Sequence, residues 1–136
     1  MRVREAMSES VLTVGPSLTL RAAAEKMVER KVGSAVVVSP EMQGPGIVSE
    51  RDVLIAVAQG ADPETALVSD HMTDRLVFAE PEWSLEEASM TMAEHGVRHL
   101  IAMEQSDIVG IVSMRDIVKS LLGTPERSLR DEQTSV

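Results

Sequence analysis

The sequence predicts an α+β chain made of two tandem β-α-β-β-α units that must pack together. Three observations carry this. GIVSERD (46–52) returns as GIVSMRD (110–116), with six of seven positions identical. At an offset of 65, PSLTLRAAAEKMVERKVGSAVVV (16–38) overlays PEWSLEEASMTMAEHGVRHLIAM (81–103). There Pro16, Leu20, Ala23, Met27, Glu29 and Val32 match Pro81, Leu85, Ala88, Met92, Glu94 and Val97. Met7-Ser8 overlays Met72-Thr73 at the same offset. The loop before the second GIVS is one residue shorter, so the offset there becomes 64. Self-similarity at this period marks a repeated unit. The boundaries expected are repeat one at 1–62, repeat two at 63–123 and a polar tail at 124–136, with the junction near Gly60–Pro63.

Each element follows from local pattern. Val11–Val14 and Leu76–Ala79 are short apolar stretches before Pro16 and Pro81, and read as brief strands. Next, Leu20, Ala24, Met27 and Val28 recur at i, i+4, i+7 and i+8, the spacing of one helix face. Leu85, Ser89, Met92 and Ala93 repeat it, and Gly96 should end that helix. SAVVV (34–38) and LIAM (100–103) read as buried strands. The polar loops SPEMQGP and EQSD follow, then the strand GIVS, with Gly46 and Gly110 read as tight-turn glycines. In the last helix of repeat two, Ile117, Val118, Leu121 and Leu122 share a face. A three-stranded sheet with helices on one side cannot cover its own core at about 60 residues, so the two units need each other.

Composition narrows the function. The chain has 136 residues, 43% hydrophobic and 26% charged, with one Phe, one Trp, nine Met and no Tyr, so its core is aliphatic. Absence of Cys excludes disulfides and thiolate metal sites and suits a reducing cytoplasm. No apolar run reaches the roughly 20 residues of a membrane span, and MRVREAMSES lacks the apolar core of a signal peptide. The expected location is cytoplasmic, with no membrane partner. A net charge of −9 argues against nucleic-acid binding. It leaves room for a small anion held by a few basic groups and a helix N-terminus.

A tandem of β-α-β-β-α units, each with Gly-apolar-apolar-Ser-x-x-Asp before its last helix, resembles a CBS-domain pair (a Bateman module) over roughly residues 3–123. The resemblance implies packing with pseudo-twofold symmetry and two clefts between the repeats. It also implies adenosine nucleotides or related adenosyl ligands, and a regulatory rather than catalytic role with no required cofactor. A flat homodimer through the second helices is implied too, with Leu54, Val57, Ile117, Val118 and Leu121 as interface candidates; the protein regulated is not implied. The alternative is a ligand-free dimeric interaction or scaffold protein.

Ser49-x-x-Asp52 and Ser113-x-x-Asp116 have two readings. Both fit a helix capping box. Equally, the Asp can accept ribose hydroxyls, the Ser can meet a ribose or phosphate oxygen, and Arg51 and Arg115 supply planar forks suited to phosphate. The resemblance implies that each cleft is completed by the other repeat. It places Met7, Ser8 and Val11 with Ser113, Arg115 and Asp116, and Met72, Thr73 and Leu76 with Ser49, Arg51 and Asp52. Arg98 and His99 enter the buried strand beside Asp116, where the first repeat has Gly33 and Ser34, so the Asp116 cleft is the expected phosphate site. No nucleophile elbow, phosphate loop or Cys supports catalysis. His71, His95 and His99 are read as solvated or capping residues rather than metal ligands. Trp83 is read as packing at the start of the second long helix.

Overall fold

The computed structural model describes residues 1–123; the expected tail, 124–136, lies outside the described residues. In chain order the elements are α1 (Val3–Ala6), β1 (Thr13–Val14), α2 (Leu20–Arg30), β2 (Ser34–Val37), β3 (Gly46–Ser49) and α3 (Glu50–Ala58). They continue with α4 (Val68–His71), β4 (Phe78–Ala79), α5 (Leu85–His95), β5 (His99–Glu104), β6 (Asp107–Ser113) and α6 (Met114–Leu121). The order β-α-β-β-α occurs twice, as expected from sequence. The one-turn helices α1 and α4 are additions too short to show a period. The chain divides into two compact units: Met1–Ser10 with the chain from Val77 onward, and Val11–Leu76. Each sequence repeat thus sends its first residues to the unit carrying the other repeat's GIVS motif.

Each unit holds a three-stranded sheet, ordered β1-β2-β3 or β4-β5-β6. The first pair in each is parallel, crossed over by α2 or α5, and the second is antiparallel. The register places Ser34 opposite Ser49 and His99 opposite Ser113. β1 and β4 are only two residues long, shorter than the apolar runs 11–14 and 76–79 suggested.

Thr19 and Ser84 cap α2 and α5 by accepting from Ala22 N and Glu87 N. Both helices end in a left-handed residue, Lys31 (φ 58°) and Gly96 (φ 64°). The buried face of α2 is Leu20, Ala23 and Met27, and that of α5 is Leu85, Ala88 and Met92. Val28, expected on that face, is 77% exposed. The stripe is one step narrower than the i+8 pattern implied. The apolar helix positions identical between repeats, rather than the longer periodic set, are the ones buried, while the matched Glu29 and Glu94 are exposed. Leu20 and Leu85 each contribute roughly 1.5–3 kcal/mol by leaving water. They pack with Val14, Ala35, Val37 and Val48 in one unit, and with Ala79, Leu100, Ala102 and Val112 in the other. Val36, Ile47, Ile101 and Ile111, out of phase with these, are buried too, so both faces of each sheet are apolar.

Two further expectations change. EQSD is not a loop ahead of a short strand: β5 runs to Glu104, β6 starts at Asp107, and Gln105 (φ 52°) and Ser106 (φ 74°) form a tight two-residue turn. Two positive φ values match the right-handed twist of the strands, a job usually given to Asn-Gly. Ile117 is 1% exposed in the core of its own unit, so it is no interface residue. Leu54 (69%), Val57 (48%), Val118 (48%) and Leu121 (68%) are exposed. Among the described residues no helix is long and apolar enough to cross a membrane.

Candidate ligand-binding site

In the Val11–Leu76 unit, β3 runs directly into α3, and Ser49 is the N-cap. Its N–H donates to Asp52 Oδ2 at 2.8 Å, and Asp52 N donates back to Ser49 Oγ at 3.2 Å. In the other unit β6 runs into α6, with Ser113 N to Asp116 Oδ2 at 2.9 Å and Asp116 N to Ser113 Oγ at 3.0 Å. Both capping boxes are therefore formed. Each cap uses Oδ2, so Oδ1, with its two lone pairs, lies outside it. Both Asp residues are half-buried. Arg51 and Arg115 are exposed one residue before them.

The segment carrying Met7-Ser8 lies across β6. Ser8 N donates to Ile111 O at 2.8 Å and Ile111 N to Ser8 O at 3.0 Å. Thr73 and Ile47 exchange the same two bonds, both at 2.8 Å. This explains the glycine of GIVS, which is not a turn residue: neither Gly46 nor Gly110 has positive φ. A Cβ on Gly110 would lie 2.7 Å from Met7 Sδ and 2.9 Å from Ser8 O, and one on Gly46 would lie 2.8 Å from Met72 Sδ. The glycine exists because another backbone crosses it. The signal was present in the sequence, as Met-Ser/Thr duplicated in step with GIVS.

The crossing segments are anchored at their starts. Val3 N donates to Trp83 O and Arg4 N to Pro81 O, both at 2.8 Å. Val68 N to Leu18 O (2.8 Å) and Ser69 N to Pro16 O (3.0 Å) repeat the arrangement 65 residues along. Trp83 packs on the core and donates Nε1–H to Glu80, the structural role expected of it. Arg4 pairs with Glu82 and Glu104 at 2.7 Å each, and Arg2 also reaches Glu82. Hydrogen bonds from Arg4 first, then Arg2, hold the Glu82 carboxyl below its ordinary range.

The structure thus brings Met7, Ser8, Arg98, His99, Ser113, Arg115 and Asp116 into one unit. Met72, Thr73, Leu76, Ser34, Ser49, Arg51 and Asp52 share the other, which also holds Val11, expected with Asp116. Ser34 and Ser49 are 9% and 8% exposed and face each other across the strand pair. Sequence reasoning missed Glu50, whose N–H donates to Gly33 O at 2.9 Å; Met114 donates likewise to Arg98 O. His95 binds Thr91 O through Nδ1 at a helix end, while His99 begins β5. Among the described residues no three His, Asp or Glu side chains are grouped to hold a metal ion.

The family model for the CBS domain matches residues 3–59 and 68–123. CBS domain-containing protein YhcV of Bacillus subtilis is 38% identical over 116 residues, 85% of this chain and 81% of that one. Hypoxic response protein 1 of Mycobacterium tuberculosis is 32% identical over 127 residues, 93% of this chain and 87% of that one. A structure of Hypoxic Response Protein I with two coordinated zinc ions matches with TM-score 0.67 and 30% identity, covering 88% of this chain and 98% of that one. The fold also matches the CBS domain pair of MJ0100 in complex with 5′-methylthioadenosine and S-adenosyl-L-methionine. There the TM-score is 0.76 and the identity 18%, covering 90% of this chain and 97% of that one. With the duplicated cap, the crossing segments and two matched repeats in agreement, the chain belongs to the CBS-domain family.

Proposed function

We propose that this chain is a regulatory module that binds adenosine nucleotides, or related adenosyl ligands, at its two Ser-x-Arg-Asp turns. The observation that carries the reading is the half-buried Asp of each capping box, whose Oδ2 makes the cap while Oδ1 is outside it, in a unit where a Met-Ser/Thr segment crosses the preceding strand. Such an oxygen can accept vicinal ribose hydroxyls, while the guanidinium of Arg51 or Arg115 meets phosphate. The residues proposed as ligand contacts are Met7, Ser8, Arg98, His99, Ser113, Arg115 and Asp116 at one turn. At the other they are Met72, Thr73, Leu76, Ser34, Ser49, Arg51 and Asp52. The likeness to MJ0100 at 18% identity is one of fold, so the ligand reading rests on these residues. The zinc of Hypoxic Response Protein I is a property of that protein and forms no part of this proposal.

Occupancy signals by favouring one of two states of the module, which requires different affinity for each. Leu54 and Val57, exposed on α3, and Val118 and Leu121, exposed on α6, are the proposed points of contact between two copies. A cytoplasmic, non-catalytic role completes the proposal. Calorimetric titration of nucleotide-stripped protein with AMP, ADP, ATP, NAD and S-adenosylmethionine tests it. Saturable binding that Asp116→Ala weakens supports the reading. No heat from any of them, with an unshifted melting temperature at millimolar ligand, sinks it and leaves the ligand-free interaction protein.

A further inference from the structure

The chain passes from one unit to the other through short stretches that are bonded at both ends. Ser8 is fixed to Ile111 by two backbone hydrogen bonds in the unit that carries Asp116. Four residues later, in the other unit, Leu12 O accepts from Val36 N at 2.8 Å. Glu9, Ser10 and Val11 lie between. The second repeat does the same. Thr73 is fixed to Ile47 in the unit that carries Asp52, and Val77 O accepts from Ile101 N at 3.1 Å in the other. Asp74, Arg75 and Leu76 lie between. Both anchors of the 9–11 stretch are buried, Met7 at 9% and Leu12 at 5% exposed, whereas Glu9 and Ser10 are exposed. A chain advances at most about 3.6 Å per residue, so three residues between two bonded ends have little slack to absorb a shift of either end.

We infer that these stretches are tethers that couple the two turns. Leu12 leads into β1, the edge strand of the sheet whose β2–β3 pair sets Ser34 opposite Ser49. Val77 leads into β4, the edge strand of the sheet whose β5–β6 pair sets His99 opposite Ser113. Each tether therefore runs from the crossing at one turn to the sheet that carries the other turn. A molecule that pins Met7-Ser8 also pins Leu12 and slows the opening of β1 from β2. Upstream, Val3 and Arg4 are bonded to Trp83 and Pro81 in their own unit, so a displaced Ser8 is relieved toward Leu12. The 74–76 tether returns the coupling, and linkage makes it reciprocal. The ligand side of this inference rests on the reading proposed above, in which the crossing segments meet the ligand; the mechanical side does not.

Amide hydrogen exchange read by NMR tests the mechanical side without a ligand. In Gly110→Ala the new Cβ would stand 2.9 Å from Ser8 O and displace the anchor. Exchange at Val36, in the other unit, should speed up about fivefold beyond any change at Val32, the low end of coupling between sites. Val32 is the control because its N–H is bonded to Met27 O within the same unit as Val36. Three glycines inserted between Glu9 and Ser10 should bring Val36 back into step with Val32. Met7→Ala, which empties the anchor instead of crowding it, gives the same comparison if Gly110→Ala does not fold. AMP and adenosine test the ligand side. In an Asp52→Asn chain, binding of either should slow exchange at Val36 about fivefold beyond Val32, and the glycine insertion should remove that difference while the probe still binds. Exchange at Val36 that tracks Val32 in the anchor variants, or that stays distinct after the insertion, overturns the tether and leaves the ligand reading standing. Failure of both probes to bind overturns the ligand reading, and the anchor variants alone then decide the tether.

Discussion

Replacing Gly110 with alanine places a methyl group where Met7 and Ser8 already lie. The new Cβ would stand 2.7 Å from Met7 Sδ, 3.0 Å from Met7 Cγ and 2.9 Å from Ser8 O. The thioether can swing away, but the carbonyl cannot. Ser8 is held to Ile111 by two backbone hydrogen bonds, and moving it breaks both. Overpacking of this kind costs about 1–3 kcal/mol, while Gly→Ala returns about 0.4–1 kcal/mol by restricting the unfolded chain. The net expectation is a loss of about 1–2 kcal/mol. Gly46→Ala is the internal control. Its closest contact, 2.8 Å, is with the flexible end of Met72, and Thr73 O is 3.3 Å away, so its cost should be about 0–1 kcal/mol. Urea denaturation of both variants, read as midpoint at unchanged m value, measures the difference. Adding Met7→Ala to Gly110→Ala should not restore stability, because the carbonyl contact stays. Adenosyl binding should weaken at the Asp116 turn and persist at the Asp52 turn. A Gly110→Ala chain as stable as wild type, or less damaged than Gly46→Ala, refutes the view that backbone crossing dictates this glycine.

Lys31→Gly should stabilise the chain by about 0.5–1 kcal/mol, because Lys31 sits at φ 58° where α5 uses Gly96; a lower urea midpoint would contradict this. Ser49→Ala and Ser113→Ala should each cost about 1 kcal/mol as lost helix caps, seen as a lower melting temperature. Leu54→Glu combined with Leu121→Glu should halve the mass measured by light scattering if these residues join two copies; an unchanged mass excludes them as the contact. Glu82 is pinned by Arg4 and Arg2, so its folded pKa is depressed below the 4.5 of the free side chain. The stability it adds is complete above that value and is lost as pH falls through the folded pKa. Glu82→Gln should therefore make the acid limb of the stability profile shallower at low salt, and the two profiles should merge at high salt because the pairs are exposed. Indistinguishable profiles at low salt would remove the network from the account of stability.

Duplication made much of this protein legible from its sequence. The repeated GIVS, the matched Leu20/Leu85, Ala23/Ala88 and Met27/Met92, and the Ser-x-x-Asp caps are local patterns, and local physics governs them. Apolar side chains at helical spacing must bury one face, and a Ser three residues before an Asp satisfies the orphan N–H groups of a helix start. Those patterns placed the strands, the long helices and both candidate turns. They over-read Val28 and Ile117, because apolar type alone does not say which neighbour covers a side chain. The tertiary structure decided the rest. Which backbone crosses Gly46 and Gly110 depends on contacts some 26 and 102 residues apart in the chain. That the positive φ at the β5–β6 turn falls to Gln105 and Ser106, residues without glycine's freedom, reflects strands already paired on both sides. Glu50 over Gly33 shows the same division. The sequence makes one residue acidic and the other bare, and only the antiparallel register of β2 and β3 sets that carboxylate where the second repeat has a guanidinium-bearing residue.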